Sequence, residues 1–465
     1  MDGDIALPIN SFTNYPMSWK PELDHRDQPL YKALAQQLEM DIETGRLTPG
    51  TRLPPQRELA DFLDINVSTV SKAFRLCSLK GLLSAQTGSG TFVAYDAGTN
   101  WRLALKPSAS LIDMGPTVPD PSAAPILNTL LGDMLKEKND DWFSYQLEGD
   151  APWQKDIAAK VLRRAGLTTQ PDQILLAPGG QTALVSLLSA FFRHGDRIAA
   201  DDHTYPGLKE AASLLGLELM PVPQDEDGLS PMALAALCER ESIRGLYLIP
   251  TCHNPTTITM PAARRKDIAH LVRKYDLLLI EDGTYQLSSP GEPAITNELP
   301  DRGLYFASLS KAVAPGLRMT YLSVPPALYA RASEALYSLS ISVSPLLAEL
   351  AARTLASGQL DTILKYRNLA MTRRDAILRA YIPPQYLEGS PTSLFRWLRL
   401  PAGWASSAFV SAAMKKGVAL YGAEKFSIGK TKPAPAVRLS LSRPKDDADV
   451  EKAARILGDL LTADG

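Results

Sequence analysis

The chain has 465 residues, of which 45% are hydrophobic and 22% charged, with a formal net charge of −2. That length predicts two or more domains, the composition is that of an ordinary soluble globular protein, and the charge excludes a global pull toward nucleic acid, so any such binding must come from a local patch. Three cysteines (Cys77, Cys238, Cys252) at no metal-like spacing fit a reducing compartment and exclude a disulfide framework, and no metal site is expected. The N-terminus has no basic region followed by an apolar run, and no apolar stretch reaches membrane-spanning length. A cytoplasmic protein without a membrane partner is the expectation.

Residues 1–28, with Pro8, Pro16 and Pro21, read as an irregular arm, either flexible or packed on a neighbour. A helix is predicted from near Pro29, with Tyr31, Leu34, Ala35, Leu38 and Ile42 on one apolar face and Gly45 as its stop. Pro54 and Pro55 can open a second helix, with Leu59, Phe62 and Leu63 turned inward. Asn66 or Ser68 can cap a third, running to about Lys80, with Val70, Ala73, Phe74 and Cys77 as its buried stripe. Residues 82–94 read as a hairpin wing around Gly88-Ser89-Gly90.

The polar face of the third helix holds Ser68, Thr69, Ser71, Lys72, Arg75 and Lys80 and no acid, which suits a major groove: cations meet phosphates and hydroxyls reach base edges. Gly88 and Gly90 let the wing approach the DNA backbone closely. Residues 29–95 hold seven Lys+Arg against six Asp+Glu, so charge alone favours a solvated helical face. The pattern points elsewhere. Leu53-Pro54, Arg57-Glu58-Leu59-Ala60, Thr69-Val70 and Gly88-x-Gly90-Thr91-Phe92-Val93 resemble the GntR-type winged helix in order and spacing. The resemblance implies a double-stranded DNA partner and makes Arg57 a phosphate contact; the alternative for Arg57 is a surface pair with Glu58 or Asp61. Asn66-Val67 stand where that family has Ser-Arg, and Pro55 where it has serine. The missing arginine removes a contact worth ~1–3 kcal/mol, so an operator cannot be borrowed from relatives.

Residues 96–111 read as a linker that spans ~50 Å if extended, although the apolar residues of Trp101-Arg102-Leu103-Ala104-Leu105 favour partial docking. From residue 112 apolar runs alternate with helical stretches. The runs are Ile174–Ala177, Arg197–Ala200, Glu218–Val222, Gly245–Ile249, Leu277–Ile280, Leu304–Ala307 and Thr320–Val324. The alternation predicts a mostly parallel sheet covered on both faces, with ligands at the carboxyl ends of its strands. From about residue 327 a smaller, mixed C-terminal subdomain is expected.

Lys311 lies just after one such run, flanked by Ser308 and Ser310 and followed by Pro315-Gly316 and Arg318. A lysine there can be partly desolvated; its neutral amine can then attack an aldehyde to form a Schiff base. Ser308 and Arg318 can grip a phosphate. The alternative is a solvated lysine at a strand end. The run Ser308-x-Ser310-Lys311-x-x-x-Pro315-Gly316-Leu317-Arg318 resembles the lysine motif of the fold-type I, pyridoxal-phosphate (PLP) aminotransferases, and the likeness extends over roughly residues 110–460. A GntR-type winged helix followed by such a domain is similar to the MocR-type regulators.

The resemblance assigns further residues. Gly180 and Gln181 fall at its phosphate-binding turn, where glycines at a helix start expose amides; otherwise Gly179-Gly180 is a tight connection. Tyr205 matches the aromatic stacked on the pyridine ring, or is a core tyrosine. Asn254, in Asn254-Pro255-Thr256, would donate to the cofactor's phenolic oxygen. The usual glycine is Thr257 here, and a β-branched residue is strained if that position needs positive φ. His253 is read as a neighbour only. Asp282 and Tyr285 match the Asp-x-x-Tyr clamp, in which the carboxylate keeps the ring nitrogen protonated. A structural role for Asp282 would need its own cation. Tyr145 resembles the tyrosine that reaches the partner's phosphate across a dimer, and Arg438 the arginine that pairs with a substrate carboxylate, with Arg443 as rival.

The expected protein is therefore multidomain: an arm (1–28), a winged helix-turn-helix (29–95), a linker (96–111) and an α/β, fold-type I aminotransferase-like domain with a C-terminal α+β subdomain (112–465). Its expected role is a PLP-dependent, homodimeric, DNA-binding transcriptional regulator answering to an amine or amino acid. The alternatives are an active aminotransferase carrying a winged helix, and a repressor that senses PLP itself.

Overall fold

The computed structural model describes residues 17–21, 29–43, 47, 51–79, 82–86, 90–93, 111–119, 121–145, 152–289, 291–429 and 431–462. Gly88, Lys80, most of the N-terminal arm and residues 96–110 of the expected linker lie outside them. The chain forms two compact units, Met1–Lys106 and Pro107–Gly465.

The first unit contains α1 (Leu30–Glu43), α2 (Gln56–Leu63) and α3 (Val67–Leu79), then the antiparallel pair β1 (Leu83–Gln86) and β2 (Gly90–Val93). The Asn66 side chain caps α3, accepting from the Ser68 amide at 3.0 Å, so of the two possible caps the structure uses Asn66. The predicted stripe is the buried one: Val70, Ala73, Phe74 and Cys77 pack with Leu34, Leu38 and Leu59. One edge of the hairpin is covered by the segment before α2, with Leu53 donating to Thr91 and Val93 to Thr51.

This core also takes in a residue from the N-terminal arm. Trp19 is 4% exposed and packs in the cluster. Its indole N–H donates to Asp41 on α1 at 2.8 Å, so the buried donor is satisfied.

In the second unit, β3 (Ile112–Asp113) precedes the main sheet strands β4 (Ile174–Ala177), β5 (Arg197–Asp201) and β6 (Glu218–Val222). A small hairpin, β7 (Gln224–Asp225) and β8 (Gly228–Leu229), separates these from β9 (Ile243–Leu248), β10 (Leu278–Asp282), β11 (Gly303–Ser308) and β12 (Thr320–Ser323). All seven predicted runs join one sheet, ordered β4-β12-β11-β10-β9-β5-β6. Only β12 is antiparallel to its neighbours. Burial on both faces explains the near-continuous apolar strands. Along β9, Leu246 and Leu248 enter one cluster and Tyr247 the other; along β11, Leu304 and Phe306 alternate with Tyr305 and Ala307.

After residue 325 come three helices, Pro326–Ser340, Pro345–Ala356 and Gln359–Arg379, and then a mixed subdomain. Its strands are β13 (Leu387–Glu388), β14 (Phe395–Arg399), β15 (Val418–Ala419), β16 (Tyr421–Gly422) and β17 (Ala436–Ser440). Four of them form a sheet ordered β13-β14-β17-β16, while β15 pairs with β3. Phe395, Leu398, Val437 and Leu439 share a core with Ile198, Tyr247 and Ile280, so the subdomain is fixed on one face of the main sheet. Among the described residues, no helix is long and apolar enough to cross a membrane.

Replacing the buried indole should be costly for the first unit alone. Trp19→Ala is expected to destabilise it by about 3–5 kcal/mol. In the full-length protein, chemical denaturation followed by hydrogen exchange should show loss of protection in α1 and α3 while the main sheet keeps its own.

Candidate functional site

The carboxyl ends of β9, β10 and β11 and the strand β17 bring together the side chains singled out in the second unit. Lys311 sits on a one-turn helix, Leu309–Ala312, directly after β11. The Ser308 hydroxyl caps that turn by accepting from the Ser310 amide at 3.2 Å, and itself donates to the Ser310 hydroxyl at 3.0 Å. The Lys311 ammonium donates to the carbonyl of Thr117, a residue 194 positions earlier. Burial, reinforced by the charge of Arg438 and partly offset by Asp282, lowers the Lys311 pKa to about 8.

Asp282 ends β10 and is 6% exposed. Burial raises its pKa, and the Thr284 side chain and amide, the Tyr247 phenol and the charge of Lys311 pull it back. The Thr284 amide donates to one carboxylate oxygen at 2.9 Å and the Tyr247 hydroxyl to the other at 2.8 Å. No cation is hydrogen-bonded to Asp282 among the described residues; a phenol and an amide hold it instead.

Arg438, on β17, is buried, and burial lowers its pKa. It donates to the Asn254 side-chain oxygen at 2.6 Å and to the Gly115 carbonyl at 2.8 Å. Its guanidinium packs on Phe395, Tyr421 and Phe426, at 5.3, 5.4 and 4.9 Å from the ring centres. Arg443, the rival, instead pairs with Asp113 at the surface, at 3.1 Å. Tyr285 is buried, edge-on to Phe395 at 5.5 Å. Tyr205 donates to Gln181 at 3.2 Å, and Gln181 donates to the Gly207 carbonyl at 2.9 Å. Burial, and then the charge of Asp282, raises the Tyr205 pKa to about 12.

Gly180 opens the helix Gly180–Phe191. The preceding Gly179 has φ +104°, and a Cβ there would lie 2.1 Å from the Arg318 guanidinium. Arg318 donates to the Pro178 carbonyl at 3.1 Å, so the arginine lies across this turn. Thr257 has φ +66°: the position does require the left-handed region, and a threonine occupies it. Tyr145 is 72% exposed, and no hydrogen bond among the described residues joins it to the cluster. It lines a recess of about 460 Å³ with Trp142, Trp153 and Glu349.

In the first unit, Arg57, Ser68, Lys72 and Arg75 are exposed and Thr69 is half-buried. No ion pair among the described residues joins Arg57 to Glu58 or Asp61. Ser71 is committed within the unit, donating to Gln56 at 2.6 Å. Gly90 has φ +114°, with the Arg52 side chain 3.1 Å from where its Cβ would stand.

Sequence reasoning missed Tyr247, Thr284 and the carbonyls of Gly115 and Thr117. Tyr247 opposes Ile280 across β9 and β10, and Asp282 lies two residues beyond Ile280 on the same face. That diagonal is within an aromatic side chain's reach, but it exists only once the strand order is known.

The fold and this cluster define a class I and II aminotransferase-type domain behind a winged-helix unit. Residues 132–457 match the aminotransferase class I and II family, and residues 30–93 the gntR family of bacterial regulatory proteins. The HTH-type transcriptional regulator YdeF of Bacillus subtilis is 48% identical over 459 residues, covering 98% of this chain and 99% of its own. The probable rhizopine catabolism regulatory protein MocR of Rhizobium meliloti is 26% identical over 332 residues, covering 65% of this chain and 66% of its own. An archaeal alanine:glyoxylate aminotransferase shares the fold, with a TM-score of 0.70 over 78% of this chain and 93% of its own at 22% identity. The chain belongs to the MocR-type family of regulators, a GntR DNA-binding domain fused to an aminotransferase-like domain.

The lowered Lys311 pKa has a chemical consequence. Below about pH 8 the amine is an ammonium and cannot attack a carbonyl; above it the neutral form dominates. Reductive alkylation of Lys311 in the cofactor-free protein by a small aldehyde should speed up about tenfold per pH unit up to pH 8 and then level off. Peptide mapping between pH 6 and pH 10 would show this, and a rate still climbing at pH 10 would contradict it.

Proposed function

We propose that the second unit binds pyridoxal phosphate at Lys311 and reads an amine or amino acid there, and that occupancy of this site governs how the first unit holds double-stranded DNA. The observation that carries the reading is the environment of Lys311: an amine on the turn after β11, bonded to the Thr117 carbonyl, its basicity lowered by burial and by the charge of Arg438 and partly restored by that of Asp282. Orphaned polar atoms support the fit. Among the described residues, the hydroxyls of Thr117 and Thr204 and the Nε of Arg438 are buried without a hydrogen-bond partner, and beside Lys311 and Asn254 they are open to a polar ligand.

When bound, pyridoxal phosphate supplies an aldehyde carbon and an electron-withdrawing ring. The chain's residues take the other roles. Gly180, Gln181, Ser308, Ser310 and Arg318 bind the phosphate at the helix start. Tyr205 covers a ring face, Asn254 and Tyr285 hold the phenolic oxygen, and Asp282 holds the ring nitrogen. Arg438 receives a carboxylate and exchanges its bond to Asn254 for it. Lys311 would hold the cofactor's aldehyde end, and its nitrogen would then leave the Thr117 carbonyl that it bonds here. A homodimer would bring Tyr145 to the partner's phosphate; its exposure beside Phe143, 78% exposed, favours a covered position. On the DNA side, Arg57, Lys72 and Arg75 meet phosphates and Ser68 and Thr69 face the major groove, while Ser71, whose hydroxyl bonds Gln56, braces the helix that carries them. A ligand shifts DNA affinity only by binding two arrangements of the protein unequally.

The test joins colour to DNA binding. Full-length protein given pyridoxal phosphate should show an absorbance band near ~420 nm that Lys311→Ala abolishes. Its affinity for a duplex selected from a random pool should change with the cofactor and an amino acid in the wild type and not in Lys311→Ala. A preparation that stays colourless, or a response that survives Lys311→Ala, would sink the reading. Arg75→Ala should weaken binding to all duplexes alike and make the salt dependence shallower by about one phosphate contact.

A further inference from the structure

Tyr247 has no assigned role, yet it makes the shortest direct contact to the Asp282 carboxylate. Both side chains are buried, Tyr247 completely. They lie on the same face of adjacent parallel strands, fixed by the pairing of Tyr247 with Ile280. The second carboxylate oxygen is taken by the Thr284 amide. Burial first, and then the charge of Asp282, keeps the Tyr247 phenol protonated, so it can only donate to the carboxylate. Toward an ionised carboxylate this contact is a charge-assisted O–H···O⁻ bond between two buried side chains, where such bonds are strong.

A tyrosine that merely fills the interior looks different, and the same sheet supplies one. Tyr305, on β11, is buried like Tyr247 but enters the cluster on the opposite face, and its hydroxyl has no hydrogen-bond partner among the described residues. The sheet therefore tolerates a phenol without using it; at Tyr247 the hydroxyl is used.

We propose that Tyr247 is a positioning residue: its phenol holds the Asp282 carboxylate ionised and aimed, so that the proton shared with the ring nitrogen of bound pyridoxal phosphate stays on the nitrogen. The proposal rests on the cofactor reading above. Without the phenol, one carboxylate oxygen is buried and unpartnered, the carboxylate becomes more basic, and the shared proton moves from the ring nitrogen to Asp282. No bond to carbon changes; only the place of one proton does.

Full-length protein loaded with pyridoxal phosphate labelled with ¹⁵N in the ring tests this. The wild-type ring nitrogen should resonate as a protonated pyridine. In Tyr247→Phe the signal should move toward the neutral position, and in Tyr305→Phe it should not move. A Tyr247→Phe signal coincident with wild type overturns the proposal. A second measurement needs no cofactor. In protein with ¹³C-labelled aspartate carboxyls, the Asp282 signal, identified by its loss in Asp282→Asn, should show a proton affinity about tenfold higher in Tyr247→Phe. If that affinity is unchanged, the phenol does not control the carboxylate and the proposal fails. If the wild type takes up no pyridoxal phosphate, the cofactor reading falls and the proposal falls with it, while the carboxyl titration still reports whether Tyr247 controls Asp282. Should Tyr247→Phe not fold, Tyr247→3-fluorotyrosine keeps the donor and makes it more acidic: the Asp282 proton affinity should fall below that of the wild type while the ring nitrogen stays protonated, and an unchanged affinity overturns the proposal.

Discussion

Three ionisable groups gather at one end of the main sheet: Asp282 and Arg438 are buried and Lys311 is partly buried. Removing a charge from water costs several kcal/mol unless fixed partners replace the lost hydration. No ion pair joins the three directly among the described residues. Each is instead anchored by groups the fold holds rigid: Asp282 by Tyr247 and Thr284, Lys311 by the Thr117 carbonyl, Arg438 by Asn254 and the Gly115 carbonyl. The register of the main sheet sets where Tyr247 stands beside Asp282, and the pairing of β3 with β15 sets the entry stretch that carries the two carbonyls.

Two of the anchors belong to the same short stretch. Gly115 and Thr117 follow β3, which is itself pinned to the C-terminal subdomain. Met114 donates to Ala419 and accepts from Ser440, both at backbone atoms, and Asp113 accepts from Arg443. The stretch by which the chain enters the second unit is therefore stitched to the far end of the sequence and to both cations of the site. A long-range closure of this kind fixes the Arg438 guanidinium against Phe395, Tyr421 and Phe426, where it loses hydration and gains the faces of aromatic rings.

Much of this was legible in the residues. The helical spacing of Val70, Ala73, Phe74 and Cys77 was enough to predict the buried stripe of α3, and the seven apolar runs were enough to predict the sheet. Short motifs placed Lys311, Asp282, Asn254 and Tyr285 at strand ends, where parallel sheets gather their polar groups. Partners that depend on strand order were not legible. Tyr247 reads as one more apolar residue of a central strand until β9 is known to lie beside β10. Backbone carbonyls carry no sequence signal at all, so nothing marked Gly115 or Thr117. Trp19 sits among prolines that read as irregular, and only its fit under α1 shows it to be core. Thr257 runs the other way: the residue type argued against a left-handed backbone that the loop nevertheless adopts.

The choice of a phenol to hold Asp282 follows from what the carboxylate has to do. A lysine or arginine in place of Tyr247 would pair with the carboxylate outright, and a neutralised carboxylate has little attraction left for a cationic ligand atom. An alanine would leave an oxygen buried and unsatisfied, which favours the protonated acid. A phenol donates one strong hydrogen bond and brings no charge, so it pulls the raised pKa of Asp282 back down without neutralising the carboxylate. The Thr284 amide does the same from the chain's own backbone. Neutral donors on a rigid sheet thus favour the charged form of a buried carboxyl without cancelling its charge, and no cation is hydrogen-bonded to it among the described residues.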